Sequence, residues 1–318
     1  MYPILLAAAA LSDKIDSAFF AFDTWVFSFF GGMQCGFLTT VAKIFTSFGD
    51  EAFVIPMAVF GVVLCFFKKT RKYGFALLFA IAIGTIVTNV VVKPMALRIR
   101  PYNTLQATDF WADYSVWYKG AGALSESDYS FPSGHTTAAF EMAIAMALCF
   151  RSEGKKKLSF IPPVVALCVM GSRVYLMVHY ATDVIGGLIV GTCAGVIAFF
   201  LSKLVCRIFE KVKFLDAIDF SKLFKKLDAD KSKKLSTCAI CVVLVALFCV
   251  SFIPSLSEGG DEAVRCDYVG EYECYNEAKV DEDENGNTVY REKYPEIQGH
   301  EGEYFCKIHW KQLSGVEE

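Results

Sequence analysis

Apolar positions in this chain gather into long runs, and polar residues are confined to the breaks between them. Runs near the length needed to cross the ~30 Å hydrocarbon layer occupy 53–67, 74–92, 134–150, 158–178, 184–205 and 236–253. The first and third are short. The pattern predicts an all-α fold: a polytopic transmembrane helix bundle of about six spans. The N-terminal stretch reads differently. Met1–Leu11 is apolar but brief and has no basic segment before it, so a cleaved signal peptide is not expected. Ser17–Gly32 is rich in Phe yet contains Asp23 and follows Asp16, which predicts a helix lying in the interface or packed on the bundle; a seventh span is the competing reading.

Composition agrees. Of 318 residues 54% are hydrophobic and 20% charged, and the mean hydropathy is +0.41, too apolar for a soluble domain of this size. Charge is unevenly placed. Residues 255–318 hold 17 of the 34 acids and six of the 31 bases, a local charge of −11 that leaves +8 for the rest. Lys68, Lys69, Arg71 and Lys72 follow the first run, and Arg151, Lys155, Lys156 and Lys157 the third. The linker 203–235 has ten bases against five acids, whereas 102–130 has one base and four acids. Basic loops stay cytoplasmic, so 102–130 and the acidic tail are expected on the extracytoplasmic side.

Nine of the twelve cysteines precede Ile253, mostly inside apolar runs, where they read as small packing residues. Cys266, Cys274 and Cys306 lie in the tail. Three thiols allow at most one internal disulfide, and the sequence does not select the pair. No C-x2-C…C-x2-C spacing occurs there. Asn285-Gly286, between Lys279-Val280 and Thr288-Val289-Tyr290, predicts a hairpin, so the tail is expected to be a small β-rich appendage or partly disordered. Gly187-x3-Gly191-x3-Gly195 predicts close helix packing, within the bundle rather than at a dimer face.

Three polar clusters sit at run ends: Lys93-x6-Arg100-Pro101, Pro132-Ser133-Gly134-His135, and Ser172-Arg173-x5-His179-x3-Asp183. Charges at the hydrocarbon boundary need partners. Lys93 and Arg100, seven apart, share a face if their stretch is helical, and Arg98 between them reads as a snorkelling side chain. Ser133 is a candidate N-cap, and Gly134 lets backbone N–H groups approach an anion at a helix N-terminus. His135 can protonate a leaving oxygen. His179 and Asp183, four apart, fall on one helical face, so the carboxylate can take the Nδ1 proton and leave Nε2 as a nucleophile. On an uninterrupted helix Arg173 lies about 240° from His179, so the helix bends there or the guanidinium wraps around. Its fork suits phosphate oxygens, and Glu141 is a candidate ion-pair partner for it.

In this order the clusters resemble the type 2 phosphatidic acid phosphatase superfamily, which includes vanadium haloperoxidases and glucose-6-phosphatase. Its signature is K-x6-R-P, P-S-G-H and S-R-x5-H-x3-D, and every defined position is present. The resemblance covers roughly 40–205, including Asp128-Tyr129-Ser130-Phe131. It implies that His179 attacks phosphorus to form a phosphohistidine, that Asp183 orients it, and that His135 is the acid. It also implies that Lys93, Arg100, Ser133, Gly134 and Arg173 bind phosphate oxygens. The kit requires no metal, and no acidic cluster suited to Mg2+ is visible.

The implied division is 1–48 N-terminal interfacial or packing helices, 49–205 phosphatase membrane core, 206–235 basic cytoplasmic linker, 236–253 extra transmembrane helix and 254–318 acidic tail. The expected activity is hydrolysis of a lipid phosphate or diphosphate, with undecaprenyl diphosphate, phosphatidic acid and phosphatidylglycerophosphate as candidates. The expected setting is a bacterial plasma membrane, with the site outside, lipid and bilayer as partners and no nucleic acid. A phosphotransferase using the same phosphohistidine, or a lipid transporter or scramblase, is the alternative.

Overall fold

A computed structural model describes residues 2–212, 219, 264–270 and 272–316. The predicted run 236–253 and most of the linker lie outside the described residues. The chain is mostly helical. It opens with α1 (Tyr2–Gly31), α2 (Gly36–Thr46) and α3 (Glu51–Cys65). Helix α4 (Arg71–Thr85) continues through a π-helical stretch, Ile86–Val92, into α5 (Lys93–Ala96). Short α6 (Pro101–Thr104) and α7 (Trp111–Gly120) precede α8 (Gly134–Ser152), α9 (Ile161–Tyr175) and α10 (Ala181–Lys211).

Among the described residues three helical stretches are long and apolar enough to cross a membrane: Arg71–Ala107, Leu158–Tyr175 and Ala181–Lys211. The pair Gly36–Gly49 and Glu51–Cys65, bent by 42°, is a fourth candidate. At 1.5 Å per residue the 31-residue α10 is about 46 Å long, ample for the hydrocarbon layer. Large apolar side chains such as Val90, Leu167, Ile189 and Phe200 point outward, as lipid-facing residues do. The predicted run 134–150 is a helix, α8, but is not among these candidates. His135, Thr136 and Thr137 open it and Glu141 interrupts it. It is the central helix, packed by α4, α9 and α10, so Thr136, Thr137 and Glu141 are buried against protein.

The glycine stripe of α10 faces α8. A Cβ at Gly187, Gly191 or Gly195 would lie 2.7, 2.6 or 2.7 Å from the carbonyl oxygens of Ser133, Thr137 or Glu141. Only hydrogen fits there, so the stripe packs within the bundle, as expected. Gly191→Leu must push the two helices apart. It should cost about 1–3 kcal/mol or more, read as a lower melting temperature in detergent, whereas Gly171→Leu, with open space around its Cβ position, should be neutral.

The bundle has two distinct poles. At one, Lys72 Nζ donates to Ser152 Oγ at 2.9 Å and to Glu153 at 3.1 Å, and the Arg71 guanidinium lies 4.8 Å from the Phe209 ring. At the other lie Lys93, the start of α8, the end of α9 and the start of α10. All three polar clusters are therefore at one end. The C-terminal segment packs at this end too: Tyr275 N–H donates to Asn103 Oδ1 at 2.8 Å, and Gln106 Nε2 to the Glu273 carbonyl at 3.0 Å.

That segment carries the predicted hairpin. Strand β1 (Val280–Glu282) pairs antiparallel with β2 (Thr288–Tyr290), with Gly286 at φ +78° in the turn. Two isolated bridges and a C-terminal helix, Lys307–Ser314, complete it. Its small core is Cys266, Cys274, Tyr294, Phe305, Cys306 and Trp310.

Candidate active site

Helix α5 ends where Leu97 adopts φ +49°, a left-handed conformation uncommon for a residue with a Cβ. The chain then runs extended, because Pro101 disfavours helix at Arg100, which sits at φ −72°, ψ 150°. Lys93 and Arg100 therefore do not share a helical face, as the spacing alone suggested; the turn at Leu97 brings them together. Lys93 Nζ pairs with the Asp128 carboxylate. Arg100 donates to Asp128 Oδ1 at 2.6 Å, to the Asp128 carbonyl at 2.9 Å and to the Val178 carbonyl at 3.1 Å, and pairs with Glu126.

Arg173 enters from the end of α9. It donates to Thr46 Oγ1 at 2.7 Å and pairs with Glu126, while its Nε has no partner among the described residues. Glu141 is not its partner. That carboxylate points at α4, where its Oε2 would lie 1.4 Å from a Cβ at Gly84 and has no hydrogen bond among the described residues. Gly84 leaves the room in which Glu141 sits.

The third cluster is broken between two helices. Helix α9 stops at Tyr175, Met177 takes φ +60°, and α10 starts at Ala181 after the N-cap Tyr180. His179 thus precedes the helix that carries Asp183, and the break resolves the 240° mismatch with Arg173. His179 and Asp183 meet because Asp183, third in α10, folds back to accept from Tyr180 N–H at 2.9 Å. Its Oδ2 lies 3.4 Å from His179 Nδ1. Ser130 Oγ is wedged between them, 2.5 Å from Asp183 Oδ2 and 3.3 Å from His179 Nδ1. If Ser130 donates to the carboxylate, its lone pairs face Nδ1–H. That tautomer leaves the Nε2 lone pair free of a proton, directed at Arg100 Nη1, 3.2 Å away.

The imidazole is fully buried. Burial, then the charges of Arg100, Arg173 and Lys93, holds it well below the ordinary histidine range, so it stays neutral. Burial opposes ionisation of Asp128, but Lys93 and Arg100 outweigh it and hold the carboxyl well below the usual carboxylate range.

Ser133 caps α8, its Oγ accepting from Thr136 N–H at 3.4 Å, and its own N–H donates to the Asp183 carbonyl at 3.1 Å. The Cβ position of Gly134 lies 3.9 Å from Lys93 Nζ. His135 Nε2 lies 2.5 Å from Asp50 Oδ1, at the α2–α3 bend. All eight residues singled out in the sequence thus gather at one pole.

Several neighbours were not anticipated. Arg98 does not snorkel. It is buried, donates to Asp183 Oδ1 and Thr182 Oγ1 at 2.6 Å, to Asp16 at 2.7 Å and to Asp23 at 2.9 Å, and lies over the Tyr180 ring. Asp23 also accepts from Thr182 N–H at 2.9 Å, so α1 is packed against the N-terminus of α10. The odd acid in a Phe-rich stretch was the available signal for this dock. Ser130 lies in the Asp128–Phe131 stretch that the resemblance covers without giving it a role, and Asp50 and Glu126 had no signal of comparable strength.

A cleft of about 1570 Å³ opens at this pole. One wall has Asp50, Lys93, Glu126, Asp128, Gly134 and His135; the other has Lys279, Arg291, Lys293, Tyr294, Lys307 and Lys311 of the C-terminal segment. Five of the six bases in that acidic tail therefore face the cleft. Cations with donors aimed at one spot, a neutral imidazole behind them and a second imidazole at the rim suit a phosphoryl group. The carboxylates of Glu126 and Asp128 pair with these cations.

The sequence is similar to those of known proteins. The PAP2 superfamily pattern matches residues 73–205. Phosphatidylglycerophosphatase B of Bacillus subtilis (strain 168) is 32% identical over 211 residues, 64% of this chain and 90% of that protein. Undecaprenyl-diphosphatase of Sulfolobus acidocaldarius is 29% identical over 171 residues, covering 54% and 74%. A solved structure, the transmembrane PAP2 type phosphatidylglycerolphosphate phosphatase of Bacillus subtilis, is 30% identical, covers 66% of this chain and 94% of its own, and superposes with a TM-score of 0.46. Because the 32%-identical relative is spanned almost end to end and the superfamily pattern falls on the helices that build the cation cluster, the chain belongs to the PAP2 superfamily.

Proposed function

We propose that this integral membrane protein is a lipid phosphatase that hydrolyses a lipid phosphate or diphosphate through a phosphohistidine on His179. The observation that carries the reading is the set of cations around the Glu126 and Asp128 carboxylates, with His179 Nε2 directly behind Arg100. Carboxylates and phosphates present similar oxygens to an arginine fork. An incoming phosphate takes over Lys93, Arg100 and Arg173 as the 126–128 loop withdraws, and Arg100 leaves Nε2 for a phosphate oxygen. Ser133 and Gly134, at the N-terminus of α8, add donors and a partial positive charge.

The chemistry then balances in two steps. His179 Nε2 attacks phosphorus, a P–N bond forms, and the P–O bond to the leaving group breaks. The leaving oxygen takes a proton from His135, whose ring is held by Asp50. Water then attacks the phosphohistidine, giving its proton to His135; the P–N bond breaks and phosphate leaves. The fixed cations stabilise charge on the transferring group in both steps. Ser130 and Asp183 hold the Nδ1 proton. Ser130→Ala should therefore lower kcat roughly tenfold to a hundredfold and leave KM within about twofold, the sign of a group that orients rather than binds. An unchanged kcat removes Ser130 from this role.

Positive charge in the loops at the Lys72 pole supports an extracytoplasmic position for the site pole. The activities for which the relatives are named support undecaprenyl diphosphate and phosphatidylglycerophosphate as candidate substrates, and phosphatidic acid, a candidate from the sequence, is the third. The test is phosphate release by the purified full chain from each of these lipids, with His179→Ala alongside. Release from at least one lipid, lost in the variant, is expected. No release from any phosphorylated lipid, with folded protein, overturns the reading.

A further inference from the structure

Away from the phosphate site, Cys266, Cys274, Cys306 and His309 converge so that one ligand atom from each lies within 4.8 Å of all the others. The three thiols are buried and none is in a disulfide. His309 Nδ1 is 3.4 Å from Cys266 Sγ and 3.5 Å from Cys306 Sγ. A tetrahedral zinc with bonds of about 2.3 Å to sulfur and 2.0–2.1 Å to nitrogen sets neighbouring ligand atoms about 3.5–3.8 Å apart. We infer that these four side chains bind one structural Zn2+ that staples the C-terminal segment over the active-site cleft.

The donor set selects the metal. Three thiolates and one imidazole match the closed Cys3His class, whereas Mg2+ and Ca2+ want oxygen and iron–sulfur clusters usually take four thiolates. All four positions come from the protein, so the site is structural rather than catalytic. A second layer surrounds it. Asn276 Nδ2 donates to Cys306 Sγ at 3.4 Å, and the Tyr268 ring stacks on His309 at 3.9 Å. Such groups fix ligand orientation. A disulfide in the same place would leave one buried thiol and the imidazole without a role.

Size argues in the same direction. The described residues between 264 and 316 form a loop-rich segment with one short hairpin, one short helix and a small core, too little apolar burial to hold itself. Part of its attachment to the membrane core runs through the ligand shell. Asn276 Oδ1 accepts from Asn103 Nδ2 at 3.0 Å and lies 3.3 Å from the Tyr102 hydroxyl, which accepts from Glu126 N–H at 3.0 Å. The metal site is thus two residues from the loop that fills the phosphate site.

The test is elemental analysis of the full chain purified without a histidine tag or chelator. About one zinc per chain is expected in the wild type, and loss of it in Cys306→Ser and in Cys274→Ser. Because either variant could misfold, Co2+ exchanged into the wild type provides a second readout: a thiolate-to-cobalt charge-transfer band with strong tetrahedral d–d absorption. Absence of zinc together with a disulfide between two of the three cysteines overturns the inference. So does zinc that persists in both serine variants.

Discussion

His179→Ala is expected to abolish phosphate release while the protein remains folded. Among the described residues this is the one fully buried imidazole beside the cations, and removing a covalent nucleophile typically costs several orders of magnitude. The contrast with Ser130→Ala is diagnostic, since an orienting group weakens catalysis and a nucleophile ends it. Circular dichroism and size-exclusion elution should match the wild type, because Arg100 retains four other acceptors among the described residues. Turnover at the wild-type rate in His179→Ala removes the residue from the chemistry.

Arg98→Met is expected to destabilise the chain severely without touching any group proposed to contact phosphate. Its guanidinium lies among Asp16, Asp23 and Asp183, and the last two are almost completely buried. A methionine fills the space but leaves these carboxylates without their cation. Breaking a buried ion pair by removing one partner costs about 3–5 kcal/mol, and the expected loss in melting temperature is roughly 5–15 °C. Arg98→Lys keeps the charge but cannot reach three acids with one fork, so an intermediate loss is expected. An unchanged melting curve in Arg98→Met means that the cluster does not hold α1 against α10.

The two variants separate what was legible in the sequence from what was not. Lys93, Arg100, Ser133, Gly134, His135, Arg173, His179 and Asp183 stand out because fixed spacing at the ends of apolar runs is rare. Their convergence was an inference from those run ends. Helix periodicity does not carry across the breaks that separate them. Leu97 and Met177 take left-handed conformations that spacing does not reveal, and each redirects a motif residue. The acids that complete the site were harder. Asp50, Glu126 and Asp128 lie in loops where acids are ordinary, and pairing across 85 or 47 residues leaves no periodic trace. Asp23 was visible as an anomaly, but its partner was not.

The tail shows the same limit. Asn285-Gly286 announced its hairpin because turn chemistry is local. The cysteine–histidine cluster joins positions up to 43 residues apart, and its only local sign was Cys306-x2-His309. The glycine stripe of α10 was legible because periodicity on one helix face is a property of a single element, and the face it meets, α8, is the helix whose polar residues required burial.

The most direct measurement is to quench the full chain during turnover of a lipid carrying a radiolabelled phosphate and locate the label. The account predicts a phosphoprotein whose label survives alkali, is lost in acid as a P–N bond is, and maps to the peptide containing His179. Label that is stable in acid and released by alkali, or that maps to Glu126, Asp128 or Asp183, would contradict it.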